Sequence, residues 1–219
     1  INVYKNVYAF ITPSEFLKKK LSLNGFEEKR IHCIPTFTAS KTTIGKQQIG
    51  SYGLYFGRVT EEKGVETVIK AYEKLPEYTV KIMGDDTTDE AKRLKKYVEN
   101  HKMKNVEFLG FKSGAELENV IKGARFTLIP SIWYDNLPNT ALESFQYSKP
   151  VIASNIGSLP ELVIDGENGY LFKPSNVEDL IKKIKMLDDD TLVKKMGQAS
   201  RKRLESCLLY TSDAADDKA

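Results

Sequence analysis

The stretch RFTLIPSIWYDNLPNTALESFQYSKPVIAS, Arg125–Ser154, decides the fold. It opens with the apolar run Arg125–Ile129, which reads as a strand stopped by Pro130. Leu137–Tyr147 carries helical spacing, and Asn136 is placed to cap that helix with Pro138 in its first turn. Pro150–Ala153 is a second short apolar run. Strand, helix and strand within about thirty residues make a βαβ unit, whose two strands are parallel and whose crossover is right-handed.

The alternation continues on both sides. Upstream, Ser51–Gly57 reads as a strand and Gly64–Leu75 as a helix with Val65, Val68, Ile69 and Tyr72 on one face. Strands at Tyr78–Met83 and Val106–Leu109 follow, separated by a helix at Asp89–Lys102, and a helix at Ala115–Lys122 leads into Arg125. Downstream come one helical turn at Leu159–Val163, a turn at Asp165–Gly169, a strand at Tyr170–Phe172 and helices near Val177–Leu187 and Thr191–Ser206. The strands are near-continuous apolar runs, as burial on both faces requires. The expected fold class is therefore α/β: a doubly wound, Rossmann-like parallel sheet over residues 49–190, followed by a C-terminal helix, 191–206.

The two ends read differently. Val7–Ile11 and Ile31–Ile34 look like strands, with Ser14 capping a helix Glu15–Leu23 that Gly25 ends. Residues 1–35 are expected to be the remnant of a preceding N-terminal domain, and polar residues 36–48 an interdomain linker. The chain begins at Ile1 inside an apolar pattern, so its true start is expected to lie upstream. At the other end CLLYTSDAADD, Cys207–Asp217, breaks the Lys-rich helical pattern and resembles translated sequencing adapter. Residues 207–219 are set aside as a non-native tail.

Composition narrows the function classes. The 219 residues carry 33 Lys and Arg against 30 Asp and Glu, a net charge of +3 that lacks the basic excess of a nucleic-acid binder. Two cysteines, Cys33 and Cys207, are too few for a disulfide framework and wrongly spaced for zinc. No apolar run approaches the roughly 20 residues needed to span a bilayer. There is no G-x-G-x-x-G after a strand, no P-loop and no His-Glu metal pair, which disfavours a dehydrogenase; His32 and His101 fall outside the loops that matter.

Those loops follow the carboxyl ends of the strands, after Gly57, Gly84, Gly110, Pro130 and Ala153. In Gly57–Gly64 (GRVTEEKG), Arg58 and Lys63 flank a helix start between glycines that allow close backbone approach, which suits a diphosphate. The plainer reading makes them surface cations balanced by Glu61 and Glu62. In Pro130–Ser144, the helix start at Asn136 offers backbone N–H groups, Glu143 could accept two ribose hydroxyls, and Asp135 could meet a sugar hydroxyl or act as a second cap. Trp133 and Tyr134 could wall a sugar, although aromatics at a strand end usually join the core. Gly157 and Ser158 bring further N–H groups, and Glu161 begins a turn.

Three segments in register, GR-x(4)-KG at Gly57–Gly64, PSIWYDNLPNTALES and PVIASNIGSLPELVIDGENGYLF at Pro150–Phe172, resemble glycosyltransferase family 4. The resemblance runs from Tyr4 to Ser206 and takes in ITPSEFLKKKL and IHCIP. It implies a GT-B architecture of two Rossmann-like domains, this chain holding the C-terminal, donor-binding half. It implies retaining transfer of a sugar from a nucleoside diphosphate sugar to a glycan or lipid acceptor, with no metal or other cofactor, in the cytoplasm or at the inner membrane face. Arg58, Lys63 and Glu143 take the catalytic roles, the two cations neutralising the leaving diphosphate and Glu143 holding the ribose. Gly57, Asp135, Asn136, Leu137, Asn139 and Thr140 contact donor. The family's Glu-x7-Glu pair appears as Asp135-x7-Glu143, one methylene short at its first member. Acceptor contacts, and any peripheral membrane contact, would come from the absent N-terminal part, so the fragment is expected to be inactive alone. A non-catalytic nucleotide-sugar-binding protein of the same fold is the alternative.

Overall fold

The structure, a computed structural model, describes residues 4, 6–35 and 47–216, with Ser206 onward as backbone only. Most of the expected linker, residues 36–46, lies outside the described residues.

Two parallel sheets are present. The smaller pairs β1 (Phe10–Thr12) with β2 (Ile31–Cys33), joined through helix α1 (Glu15–Leu23). The larger has six strands: β3 (Tyr52–Phe56), β4 (Thr79–Met83), β5 (Val106–Gly110), β6 (Ala124–Ile129), β7 (Val151–Ser154) and β8 (Gly169–Phe172). Their spatial order is β5-β4-β3-β6-β7-β8, all parallel. That order is the Rossmann pattern: the chain builds outward from β3 to one edge, then crosses back to β6 and builds to the other. The switch point lies between β3 and β6.

Helices α2 (Val65–Glu73), α3 (Asp89–Asn100), α4 (Gly114–Gly123), α5 (Asn139–Gln146), α6 (Leu159–Leu162), α7 (Val177–Met186) and α8 (Asp190–Asp216) make the crossovers and flank the sheet. One core packs α2, α3 and α7 against Tyr55, Val80, Ile82 and Leu128. A second gathers Leu142, Phe145, Val151 and Leu159 under α5 and α6. Helix α8 runs on through Asp216 rather than stopping near Ser206, because no Gly or Pro intervenes to end it.

One buried cation holds the floor of the sheet together. The Lys149 ammonium donates to the carbonyls of Gln48 (2.6 Å), Lys122 (2.6 Å) and Ala124 (2.7 Å). Burial lowers its pKa to about 8, and the three carbonyls replace the water it has lost. The neighbouring Gln47 donates to Ser148 O at 3.0 Å, so the approach to β3 is fastened at the same point.

The small sheet docks on the large domain through α1. Ser14 caps α1, accepting from Leu17 N–H at 3.2 Å, as its sequence position suggests. Its hydroxyl proton goes to Asn136 Oδ1 at 3.0 Å. Glu161 of α6 adds a second cap, its carboxylate accepting from the N–H groups of Glu15 (3.0 Å) and Phe16 (2.6 Å).

Candidate functional site

A cleft of about 330 Å³ opens at the switch point. Gly57 and Arg58 line it after β3, Gly84 and Asp85 after β4, Phe111 and Lys112 after β5, and Thr140 and Glu143 project from α5. Four of the residues singled out in the sequence, Gly57, Arg58, Thr140 and Glu143, thus share one wall system although up to 86 positions (57 to 143) separate them.

Arg58 is 73% exposed and reaches Glu62 at only 3.6 Å, a loose solvent-facing pair. Its guanidinium is therefore available to an anion, since such a pair contributes about 0–1 kcal/mol. The backbone under it is firmer: the Tyr55 hydroxyl donates to Arg58 O. Burial, and then Asp135 nearby, keeps the Tyr55 phenol well above its usual range, so it stays a donor. Glu143 is half-buried and its carboxyl is raised above 4.5 by burial, with no charged partner opposing.

Lys63 is not among the residues that line the cleft. It closes a 3-10 turn, Glu61–Lys63, and its ammonium pairs with the Asp135 carboxylate. Ser131, fully buried after β6, donates to the second Asp135 oxygen. Gly64 makes the approach possible: it sits at φ +66°, and a Cβ there would meet Pro130 O at 2.1 Å. The bond from Ile132 N–H to Glu62 O (3.0 Å) fastens the β3–α2 and β6–α5 loops side by side. Arg58 thus pairs within its own loop, with Glu62, whereas the partner of Lys63 is 72 positions away.

Asn136 does not cap α5. Leu137 adopts φ +54°, the helix starts at Asn139 and Pro138 occupies the cap position without a side-chain bond. Pro138 itself is extended, with φ −67° and ψ 125°, so the first helical residue is Asn139. Asn136 instead bonds Ser14, and Leu137 is buried with its N–H on Ser158 Oγ at 2.7 Å. The N–H groups at the start of α5 have no intrahelical acceptor by geometry, and Asn139 and Thr140 supply the first of them.

Trp133 and Tyr134 are 66% and 52% exposed, so they stand outside the core. Tyr134 packs on Phe16 with ring centroids 5.1 Å apart, and Lys20 lies 4.8 Å over its face. The roles of the Ser131, Ser158 and Glu161 side chains were not legible in the sequence. His32 and His101 lie away from the cleft, the latter stacked on Tyr97 at 3.9 Å. Cys33 is a free thiol pushed up to about 11, chiefly by burial. Among the described residues no three His, Cys, Asp or Glu side chains cluster to hold a metal, and no helix is long and apolar enough to cross a membrane.

An open parallel sheet of this order, with a cleft at its switch point, defines a Rossmann-like α/β domain of the kind paired in GT-B glycosyltransferases. The model of the family "Glycosyl transferases group 1" matches residues 40–203, and the chain belongs to that family. Among its relatives is an uncharacterized glycosyltransferase, MJ1178, of Methanocaldococcus jannaschii, 32% identical over 149 residues, 68% of this chain and 41% of the relative. A glycogen synthase of Mycobacterium tuberculosis is 31% identical over 180 residues, 78% of this chain and 41% of that protein. In fold, the chain superimposes on Anabaena HepE in complex with UDP with a TM-score of 0.85 at 20% identity, covering 99% of this chain and 65% of that one. The chain thus spans about two fifths of the length of the curated relatives it matches.

Proposed function

We propose that this chain is the donor-binding part of a retaining glycosyltransferase of family 4, which moves a sugar from a nucleoside diphosphate sugar to a glycan or lipid acceptor. The observation that carries this reading is the cleft in which Arg58 and Glu143 face the same space from opposite sides of the switch point. Glu143 accepts the ribose hydroxyls, Arg58 meets the diphosphate, and the amides of Asn139 and Thr140 add donors at the start of α5. Lys63 supplies a second cation on the same loop as Arg58. Charge developing on the leaving diphosphate is stabilised by these fixed cations and amides, so no metal or other cofactor is assigned a role. Acceptor contacts come from sequence outside this chain, which is inactive alone, and the whole protein works in the cytoplasm or at the inner membrane face.

The test is thermal unfolding of the 219-residue chain with UDP, GDP and ADP, beside an Arg58→Ala/Lys63→Ala variant. One nucleotide at about 100 times its Kd stabilises the wild type by about 2.7 kcal/mol. That corresponds to a rise of roughly 5–10 °C at this chain length. The double variant loses the rise, and its unliganded Tm also falls, because Lys63→Ala leaves the largely buried Asp135 carboxylate without its ion-pair partner. A nucleotide shift that survives in the double variant would show that these cations do not form the diphosphate site.

A further inference from the structure

We propose that the Glu161 carboxylate is a latch between the two sheets. Seated on the N-terminus of α1, it holds that helix against the loop that runs from β6 into α5, so that docking of α1 and filling of the cleft favour each other. This rests on the donor-site reading above and adds to it a coupling between the cleft and the small sheet.

The joint is narrow. Among the described residues, the hydrogen bonds and ring contacts from the small-sheet segment to the large domain go to Tyr134, Asn136 and Glu161. Helix α1 has no fully buried residue, so no apolar core fixes it there. A small, polar joint of this kind opens and closes unless something directional holds it. Glu161 supplies the direction. The first N–H groups of α1 lack acceptors one turn back in the helix. Ser14 takes those of Leu17, through Oγ at 3.2 Å, and Lys18, through its carbonyl at 3.1 Å. Glu161 takes the other two, those of Glu15 and Phe16. Its negative charge also suits the positive end of the helix dipole.

The latch is geared to the cleft through Ser158, which immediately precedes α6. Ser158 Oγ accepts from Leu137 N–H at 2.7 Å and donates to Asp135 O at 2.8 Å, which ties the loop before α5 to the turn that carries Glu161. Gly157 is packed on the same loop, where a Cβ would meet Asp135 O at 3.1 Å. From the other side Ser14 Oγ donates to Asn136 Oδ1 at 3.0 Å, and Phe16 packs on Tyr134. Residues 134–137 are thereby gripped by α1 and by the segment before α6 at once. Just beyond them α5 begins, and its Thr140 and Glu143 line the cleft. Leu137, at φ +54°, needs this grip, because left-handed backbone is strained for a leucine. The base of the latch is held as well: Arg203 of α8 donates to Glu161 O at 2.6 Å. A ligand that favours the gripped loop therefore favours the docked α1, and the reverse holds by linkage.

The test reads both directions of that coupling in the 219-residue chain. Amide hydrogen exchange at Glu15 and Phe16 reports how often α1 undocks. Saturating UDP, GDP or ADP, whichever calorimetry shows to bind, slows that exchange about fivefold in the wild type, the lower end of ordinary coupling between sites. Glu161→Ala speeds the exchange, removes the nucleotide's effect on it and lowers nucleotide affinity by about the same factor. Glu161→Gln, which keeps a neutral acceptor, falls between. The amides of β3 and β6 keep their wild-type exchange in both variants, which a general loss of stability would not allow.

A nucleotide that binds the wild type and leaves exchange at Glu15 and Phe16 unchanged overturns the proposal while the donor-site reading stands, and this arm needs no variant to fold. Unchanged affinity in Glu161→Ala also overturns it, reducing Glu161 to a helix cap. If none of the three nucleotides binds, the donor-site reading fails and the coupling falls with it.

Discussion

Glu143 sits where burial and function pull in opposite directions. Burial raises its carboxyl above 4.5, so the folded chain holds that proton more tightly than the unfolded one. A raised carboxyl stabilises the fold below its unfolded pKa, and this contribution is lost as pH rises through the folded pKa. Glu143→Gln is therefore expected to raise the Tm at pH 7, with the gap to wild type closing as the pH is lowered through that range. Nucleotide binding should run the other way. The ionised carboxylate is the better acceptor for ribose hydroxyls, so affinity rises with pH in the wild type and stays flat and weaker in Glu143→Gln. Melting and calorimetry at several pH values check both; parallel behaviour of the two proteins would remove Glu143 from the ribose site. At this scale the sequence assigned Arg58 to the loop after β3 and Glu143 to the helix after β6, and both line the same cleft. It misplaced Asn136, whose partner Ser14 is 122 positions away, beyond the reach of any local rule.

Helix α5 shows what local signals can and cannot do at the level of an element. Its existence and direction follow from the spacing of Ala141, Leu142 and Phe145 between two apolar strands. Its start does not, because Pro138 and the left-handed Leu137 delay it to Asn139. Leu137 is tolerated there because its side chain is buried and its N–H is bonded to Ser158. The opposite end of the sheet depends on Lys149, which joins the end of α4, the start of β6 and the approach to β3. Lys149→Met keeps the apolar stem but takes the ammonium from one buried and two part-buried carbonyls, at about 1–3 kcal/mol for each group left unsatisfied. A fall in Tm of roughly 10 °C or more is expected by calorimetry. A fall of under about 2 °C, the range of an ordinary surface change, would show that water takes over those carbonyls.

The whole molecule carries an unusual surface at its first domain. Tyr8, Ile11, Leu23 and Ile34 are exposed on and around the two-stranded β1–β2 sheet. Two strands with one helix cannot cover both faces of a sheet, so the uncovered face is a site for association. Light scattering on the 219-residue chain should show a mass that grows with concentration, and a Tyr8→Glu/Ile11→Glu variant should remain monomeric. A wild type that stays monomeric at all concentrations would contradict this.

What the sequence determined by itself was the order and type of elements, and so the parallel sheet, the switch point and the loops that form the cleft. That information is local: apolar runs of strand length, helical spacing and glycine or proline stops each act within a few residues. The particular partners were decided by the tertiary structure alone. Lys63 meets Asp135, Ser14 meets Asn136, and Glu161 caps α1, in every case across a crossover or between the two sheets. The physical reason is that a charged or polar side chain takes whichever acceptor or donor the packed backbone brings within about 3 Å. Which group that will be is settled only once the sheet has closed up.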